Sequence, residues 1–288
     1  MKIDIEPGSG FCFGVRRAID TVENYLPDNK KLYSLGEIVH NHEEIERLEA
    51  LGLQNVIKDE ISNISNHTVL IRTHGEPPST YKTLKENNNK ILDATCPVVL
   101  KLQDRIKSAF ENISSQDGQI VIIGKKGHAE VVGLAGQTQN NAVVISKIED
   151  LEKVNFDNPV EVFSQTTFPL EDFHIISAEI KARAKSDIKI HDTICRQVAN
   201  RVPRLREFSA KYDVVIFVSG KNSSNGNLLF NECLKINPQC YFISKPEEIK
   251  PEWLSDIETI GITGATSTPR WLMENVRDHV TAILNIKE

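Results

Sequence analysis

Three of the five cysteines are set apart by what surrounds them. Cys12 lies in GSGFCFGVRRAID (residues 8–20), among Gly8, Gly10 and Gly14 and just ahead of an amphipathic run. Cys96 ends KILDATC and Cys195 ends KIHDTIC, run-ins that share Lys, Ile, Asp and Cys. The glycines around Cys12 do not form a dinucleotide fingerprint, because the spacing is G-x-G-x-x-x-G and only KIDI precedes it. They suit a backbone that takes positive φ or approaches a bulky group. Taken singly, each thiol would be a small buried hydrophobe. One cysteine at an equivalent place in each of three repeats points to ligation instead. Thiols at helix starts gain from the helix dipole, and three thiolates brought together need a cation. Zinc on three thiolates with an open position would answer that need. So would an iron–sulfur cluster, and a 4Fe–4S cluster on three protein ligands leaves one iron open for substrate. No C-x-x-C spacing decides between them. Cys233 and Cys240 fall outside the pattern and read as packing.

Polar donors recur with the cysteines. Strands ending at Gly36, Gly124 and Gly220 carry His40, His128 and Ser224 four positions on. A second strand in each repeat runs into a small polar loop before proline: RTHGEPP with His74, SQTTFP with Thr166, GATSTP with Ser267. Any one of these histidines could be structural, and KNSSNGN alone could be an ordinary turn. Together, His40, His74, His128, Ser223, Ser224, Asn225 and Ser267 make a donor cage suited to phosphate oxygens. Glu130, two residues past His128, is electrostatically wrong beside a phosphate unless it handles protons. Either Thr166 or Thr167 would then orient it or the substrate; the plain alternative is a solvated glutamate. GKKG at 124–127 lacks the P-loop frame.

The order that positions these groups is cysteine, helix, strand with glycine and donor, helix, strand with donor and proline, three times over. Val15, Ala18, Ile19, Val22 and Leu26 form one helical stripe, and Val99, Leu102, Ile106 and Ile113 a second. The helix after Cys195 is interrupted by Pro203. Repetition of helix and strand predicts an α/β fold. Three small αβα domains with parallel sheets would form a pseudo-threefold trefoil around a central cavity, the donor loops lying at the strand ends. The domains read as 13–96, 97–195 and 196–281, with the termini 1–12 and 282–288 packing around the core.

Bulk properties narrow the partners. The 288 residues carry a net charge of −6 and a pI near 5.8, a poor match to nucleic-acid binding. No apolar run is long enough for a membrane span, and MKIDIEPGSG has no signal-peptide apolar core. The expectation is a cytoplasmic protein without a disulfide framework.

The motifs GFCFGVRRAI, GEIVHN, THG, DATCP, GHAEVVG, QTT, DTIC, KNSSN and GATSTP, in that order, resemble the 4-hydroxy-3-methylbut-2-enyl diphosphate reductase (IspH/LytB) family over essentially the full length. The resemblance implies three αβα domains around one 4Fe–4S cluster held by Cys12, Cys96 and Cys195. It places His40, His74, His128, Ser223, Ser224, Asn225 and Ser267 around a diphosphate, makes Glu130 the proton-delivering group, and makes Thr166 the substrate-side threonine. The reaction implied is reductive dehydroxylation of an allylic alcohol diphosphate. Its electrons would come singly from a ferredoxin- or flavodoxin-type donor. Three features depart from the family pattern: Ala129 where proline is usual, Glu76 after THG where an apolar residue is usual, and RQV at 196–198. Of the alternatives, a quinolinate synthase-like dehydratase would present a donor set without the paired serines of NSSN, a zinc hydrolase would leave three separate cysteine-bearing repeats unexplained, and a metal-binding scaffold would leave Glu130 and Thr166 idle.

Overall fold

The computed structural model describes residues 1–286, with all side chains among them except those of Lys58, Asp59, Ser224 and Ile286. The chain opens on β1 (Lys2–Ile5) and then runs through three similar passages. The first is α1 (Phe13–Tyr25), β2 (Leu32–Leu35), α2 (His42–Ala50), β3 (Leu53–Val56), β4 (Thr68–Ile71), α3 (Pro78–Glu86) and β5 (Lys90–Asp93). The second is α4 (Pro97–Ile113), β6 (Gln119–Ile123), α5 (Ala129–Gly136), β7 (Val143–Ile145), β8 (Val160–Ser164), α6 (Leu170–Arg183) and β9 (Ile188–Ile190). The third is α7 (Arg196–Ala199), α8 (Arg201–Ser209), β10 (Val214–Val218), α9 (Ser224–Ile236), β11 (Cys240–Ile243), β12 (Thr259–Gly264) and α10 (Arg270–Ile286).

These strands form three four-stranded sheets, ordered β3-β2-β4-β5, β7-β6-β8-β9 and β11-β10-β12-β1. Every strand pair whose register is resolved is parallel. β1 therefore takes in the last sheet the place that β5 and β9 take in the others, with Ile3 opposite Ile260. Each cysteine of the pattern follows one of these three strands, Cys12 after β1, Cys96 after β5 and Cys195 after β9.

The chain divides into two compact units. One comprises Met1–Lys31, Glu37–Gln54 and the chain from Asn200 onward; the other comprises Leu32–Gly36 and Asn55–Ala199. In the first unit β10 is buried on both faces, as central parallel strands are. Val214, Ile216 and Val218 face Leu272, Met273 and Val276 of α10, while Val215 and Phe217 face Leu205 and Leu229. Strand alternation at period two makes that division. In the second unit Val121 and Ile123 pack with Phe173 and Ile176 of α6, and Ile120 and Ile122 with Leu102 and Ile106 of α4.

The predicted interruption by Pro203 appears as the gap between α7 and α8. Proline is tolerated within the first turn of α8, but its ring clashes with the carbonyl four residues back, and that residue, Ala199, ends α7. Just past β1, the buried Glu6 carboxylate is held by Arg201 and by the hydroxyl of Thr263, and Arg201 also donates to the Gly264 carbonyl at 3.2 Å. Among the described residues, no helix is long and apolar enough to cross a membrane.

Candidate active site

The three cysteines of the pattern are placed by one device. The Cys96 N–H donates to the Thr73 carbonyl (3.0 Å), that of Cys195 to Thr166 (2.8 Å) and that of Cys12 to Thr266 (3.4 Å). Each acceptor lies in the polar loop that ends the neighbouring strand. The shared aspartate of the run-ins has a structural reason as well. Asp93 Oδ1 accepts the Thr95 N–H at 2.9 Å, and Asp192 Oδ1 accepts that of Ile194 at 3.2 Å. Such side-chain turns fix the chain just ahead of the thiol. Asp93 also accepts the Tyr81 hydroxyl at 2.9 Å, and Asp192 pairs with Arg196 at 2.8 Å. Ser9 replaces the aspartate before Cys12, its hydroxyl donating to the Glu6 carbonyl at 2.7 Å.

Cys12 and Cys96 cap α1 and α4, and the Cys195 carbonyl accepts the N–H groups of Val198 and Ala199. None of the five cysteines is in a disulfide; these three are half-buried, while Cys233 and Cys240 are fully buried. Gly10 takes φ +94°, and a side chain there would meet the Thr268 carbonyl at 3.0 Å. Its freedom thus serves a close approach to the loop after β12, whereas the sequence suggested room for a bulky group; Gly14 lies inside α1, buried. Among the described residues, no group of three or more His, Cys, Asp or Glu side chains is gathered as the ligands of one metal ion. A thiol at the start of a helix is a soft ligand whose chemistry suits zinc or an iron–sulfur group.

Glu130 is buried in the first turn of α5. Its Oε1 accepts the Thr166 N–H at 2.7 Å and its Oε2 accepts the Thr166 hydroxyl at 2.9 Å. Burial pushes the carboxyl up to about 7, against the opposing pull of those two bonds. The sequence left Thr166 and Thr167 as alternatives for orienting it. Thr166 makes both contacts, while the Thr167 hydroxyl accepts from Gln165 Nε2 at 2.9 Å. His128 caps α5, its Nδ1 accepting the Glu130 N–H at 3.2 Å. That bond leaves the imidazole proton on Nε2, away from the helix. The His74 ring lies edge-on to His128 with centroids 5.2 Å apart. Ala129 occupies the first helical position, where proline's missing N–H would cost nothing, so the helix begins there without it. Glu76 is buried and accepts from the Thr80 hydroxyl at 3.3 Å.

The first unit assembles the remaining donors. Ser223 caps α9, its Oγ accepting the Gly226 N–H at 3.0 Å and lying 3.3 Å from Ser267 Oγ. Asn225 Nδ2 donates to the Thr266 hydroxyl at 2.7 Å, next to the carbonyl that takes the Cys12 N–H. A Cβ on Gly220 would fall 2.1 Å from the His40 carbonyl oxygen, so His40 sits directly beside this loop. The side chain of Ser224 lies outside the described residues. The rule of four positions past glycine puts a donor at each helix start but not at one structural position. The caps are Asn41, His128 and Ser223, five, four and three past the glycine.

Sequence reasoning missed Gln103, Gln165 and Thr266. Gln103 is buried on α4, and its amide lies against Gly75 and Gly133 beside the His74 loop. Its signal was a polar residue adjoining the apolar stripe of Val99, Leu102 and Ile106. Gln165 accepts the Lys125 N–H at 3.0 Å, so it braces the loop before His128.

Comparison with known proteins adds family membership to this geometry. Residues 3–281 match the family model described as LytB protein. The 4-hydroxy-3-methylbut-2-enyl diphosphate reductase of Bacteroides thetaiotaomicron is 50% identical over 286 residues, covering 99% of each chain. That of Porphyromonas gingivalis is also 50% identical, covering 99% of this chain and all of the relative. A solved structure of (E)-4-hydroxy-3-methyl-but-2-enyl diphosphate reductase, the terminal enzyme of the non-mevalonate pathway, superposes with a TM-score of 0.76 at 32% identity, over 98% of this chain and 99% of that one. The Plasmodium falciparum E-1-hydroxy-2-methyl-but-2-enyl-4-diphosphate reductase superposes with a TM-score of 0.85 at 26% identity, over 97% and 88%.

Proposed function

Because the chain belongs to the LytB protein family, we propose that it reductively removes the hydroxyl of (E)-4-hydroxy-3-methylbut-2-enyl diphosphate. The products are isopentenyl and dimethylallyl diphosphate, formed at the last step of the methylerythritol phosphate route in the cytoplasm. The balance is one substrate, two electrons and two protons in, one product and one water out. The observation that carries the reading is Thr166, which binds both oxygens of buried Glu130 and, through its carbonyl, the N–H of Cys195. A proton source and a thiol ligand are thereby fixed to one residue.

Cys12, Cys96 and Cys195 are the residues that would hold a 4Fe–4S cluster. Such a cluster, when bound, supplies an open iron for the substrate hydroxyl and one-electron redox chemistry. His40, His74, His128, Ser223, Ser224, Asn225 and Ser267 would serve the diphosphate oxygens as hydrogen-bond donors. Glu130 holds the proton that the leaving hydroxyl needs. With Glu130 protonated on Oε2, the Thr166 hydroxyl would turn to accept that proton and pass its own onward, reversing the bond it donates to the carboxylate, which makes it both orienting group and relay. The electrons come from an external ferredoxin- or flavodoxin-type carrier. The division into domains 13–96, 97–195 and 196–281 belongs to the same reading, each domain bringing one thiol and its loops.

Anaerobically purified protein tests this, given the hydroxylated diphosphate and dithionite-reduced methyl viologen. The expected result is formation of both five-carbon diphosphates with consumption of two electrons per molecule. Intact substrate in the presence of iron-loaded protein would overturn the reading.

A further inference from the structure

The second unit carries a cleft of about 550 Å³ walled by the start of α4 and by the loop from Asp192 to Gln197. Cys195 is part of its lining, and Pro97, which follows Cys96 directly, is another. Val98, Lys101 and Arg105 recur at helical spacing, so they share one face of α4, adjoining the buried stripe of Val99, Leu102 and Ile106. Val98 is 43% exposed, one of few large apolar side chains left in water among the described residues.

The charge of this cleft runs against that of the chain. The protein carries −6 overall, yet the lining holds Lys101, Arg105 and Arg196 against Asp192 alone. Arg196 is paired with Asp192, and Arg105 contacts His191 Nδ1 at 3.0 Å while lying over the Phe163 ring. Lys101 has no ion-pair partner among the described residues. An apolar floor rimmed by cations suits a partner with an acidic face around an apolar contact. The proposed reaction needs electrons from outside the chain.

We propose that this cleft is where the electron donor docks: a small acidic protein with a one-electron centre, its carboxylates facing Lys101, Arg105 and Arg196 and an apolar side chain against Val98. The proposal rests on the reductase reading above and adds the place of contact. Each encounter oxidises one reduced carrier by one electron. Two encounters with two protons release the substrate hydroxyl as one water. Transient redox complexes bury little surface, under about 1,200 Å² in total, and the cleft would lie at the centre of such a contact.

The test uses the cluster-loaded protein, a reduced flavodoxin as probe, and Lys101→Glu, with Lys107→Glu on another face of α4 as control. Calorimetric titration at low salt is expected to show Lys101→Glu weakening flavodoxin binding about tenfold and Lys107→Glu leaving it within twofold. In turnover, Lys101→Glu should raise KM for flavodoxin by a similar factor while reduced methyl viologen drives it at the wild-type rate. Unchanged flavodoxin binding and KM in Lys101→Glu would overturn the docking site. So would equal losses with flavodoxin and viologen, which would make the cleft part of the reacting centre. A wild-type dimer in sedimentation that Lys101→Glu dissociates would also overturn it, assigning the face to a second copy of the chain. A wild-type protein that binds flavodoxin here but turns over with neither reductant would instead fault the reductase reading and leave the surface standing.

Discussion

Thr166 closes on both carboxylate oxygens of Glu130, its N–H at 2.7 Å from Oε1 and its hydroxyl at 2.9 Å from Oε2. A buried carboxyl with two donors from one residue is fixed in orientation, and burial keeps its proton affinity near neutrality. A group of that kind gives up a proton at a defined point without exchanging it with bulk water.

Glu130→Gln keeps the shape and loses the proton. Turnover should fall by about 10²–10⁴-fold, with the absorption spectrum of the loaded protein unchanged. Wild-type kcat should decline as pH rises through about 7, where Glu130 ionises. The residual rate of the variant should show no such step. Steady-state assays from pH 5.5 to 8.5 give both results.

The same carboxyl makes a stability prediction with a definite sign. Its folded pKa is raised from 4.5 to about 7, so the folded state holds a proton that the unfolded chain has released. Stability is therefore lost as pH rises between those two values. Glu130→Gln removes that loss, and its advantage over wild type should grow by on the order of 1–3 kcal/mol from pH 5 to pH 8. Urea unfolding of the metal-free proteins at the two pH values measures it; a difference independent of pH would contradict the buried, proton-bound carboxyl.

Arg201→Met leaves Glu6 buried without its cation. That should cost about 3–5 kcal/mol of stability, with much of it recovered when Glu6→Gln is added. Denaturant unfolding of the single and double variants decides. A double variant as unstable as Arg201→Met alone would show that packing, and not the pair, was lost.

Asp93→Ala removes the turn that aims Cys96, and Asp192→Ala the one before Cys195. Both should lower iron loading. Asp93→Asn, which keeps the accepting oxygen, should restore it. Iron content after identical anaerobic reconstitution is the measurement, and equal loading in all three would detach the turn from the thiol's function.

The helix–strand order and the placing of each cysteine at a helix start were legible because apolar periodicity and short polar run-ins are local signals. The aspartate shared by the two run-ins was visible, but its turn was not, since Asp93 Oδ1 acts on a backbone N–H only once β5 has ended. That β1 completes the last sheet could not be read from KIDI. The pairing of Ile3 with Ile260 joins opposite ends of the chain, and four residues carry no record of their partner. The choice between Thr166 and Thr167 turned on which side chain faces α5, a tertiary matter. Gln103 was hidden because a polar residue beside an apolar helical stripe looks like the start of the solvent face.

Iron and acid-labile sulfide, measured anaerobically in wild type and in Cys12→Ser, Cys96→Ser and Cys195→Ser, decide whether the three thiols hold one cluster. The wild-type protein should be coloured, with iron and sulfide in equal amounts, and all three variants should show a large, similar loss. Full iron and sulfide in any one of the variants would contradict three equivalent thiols holding one cluster.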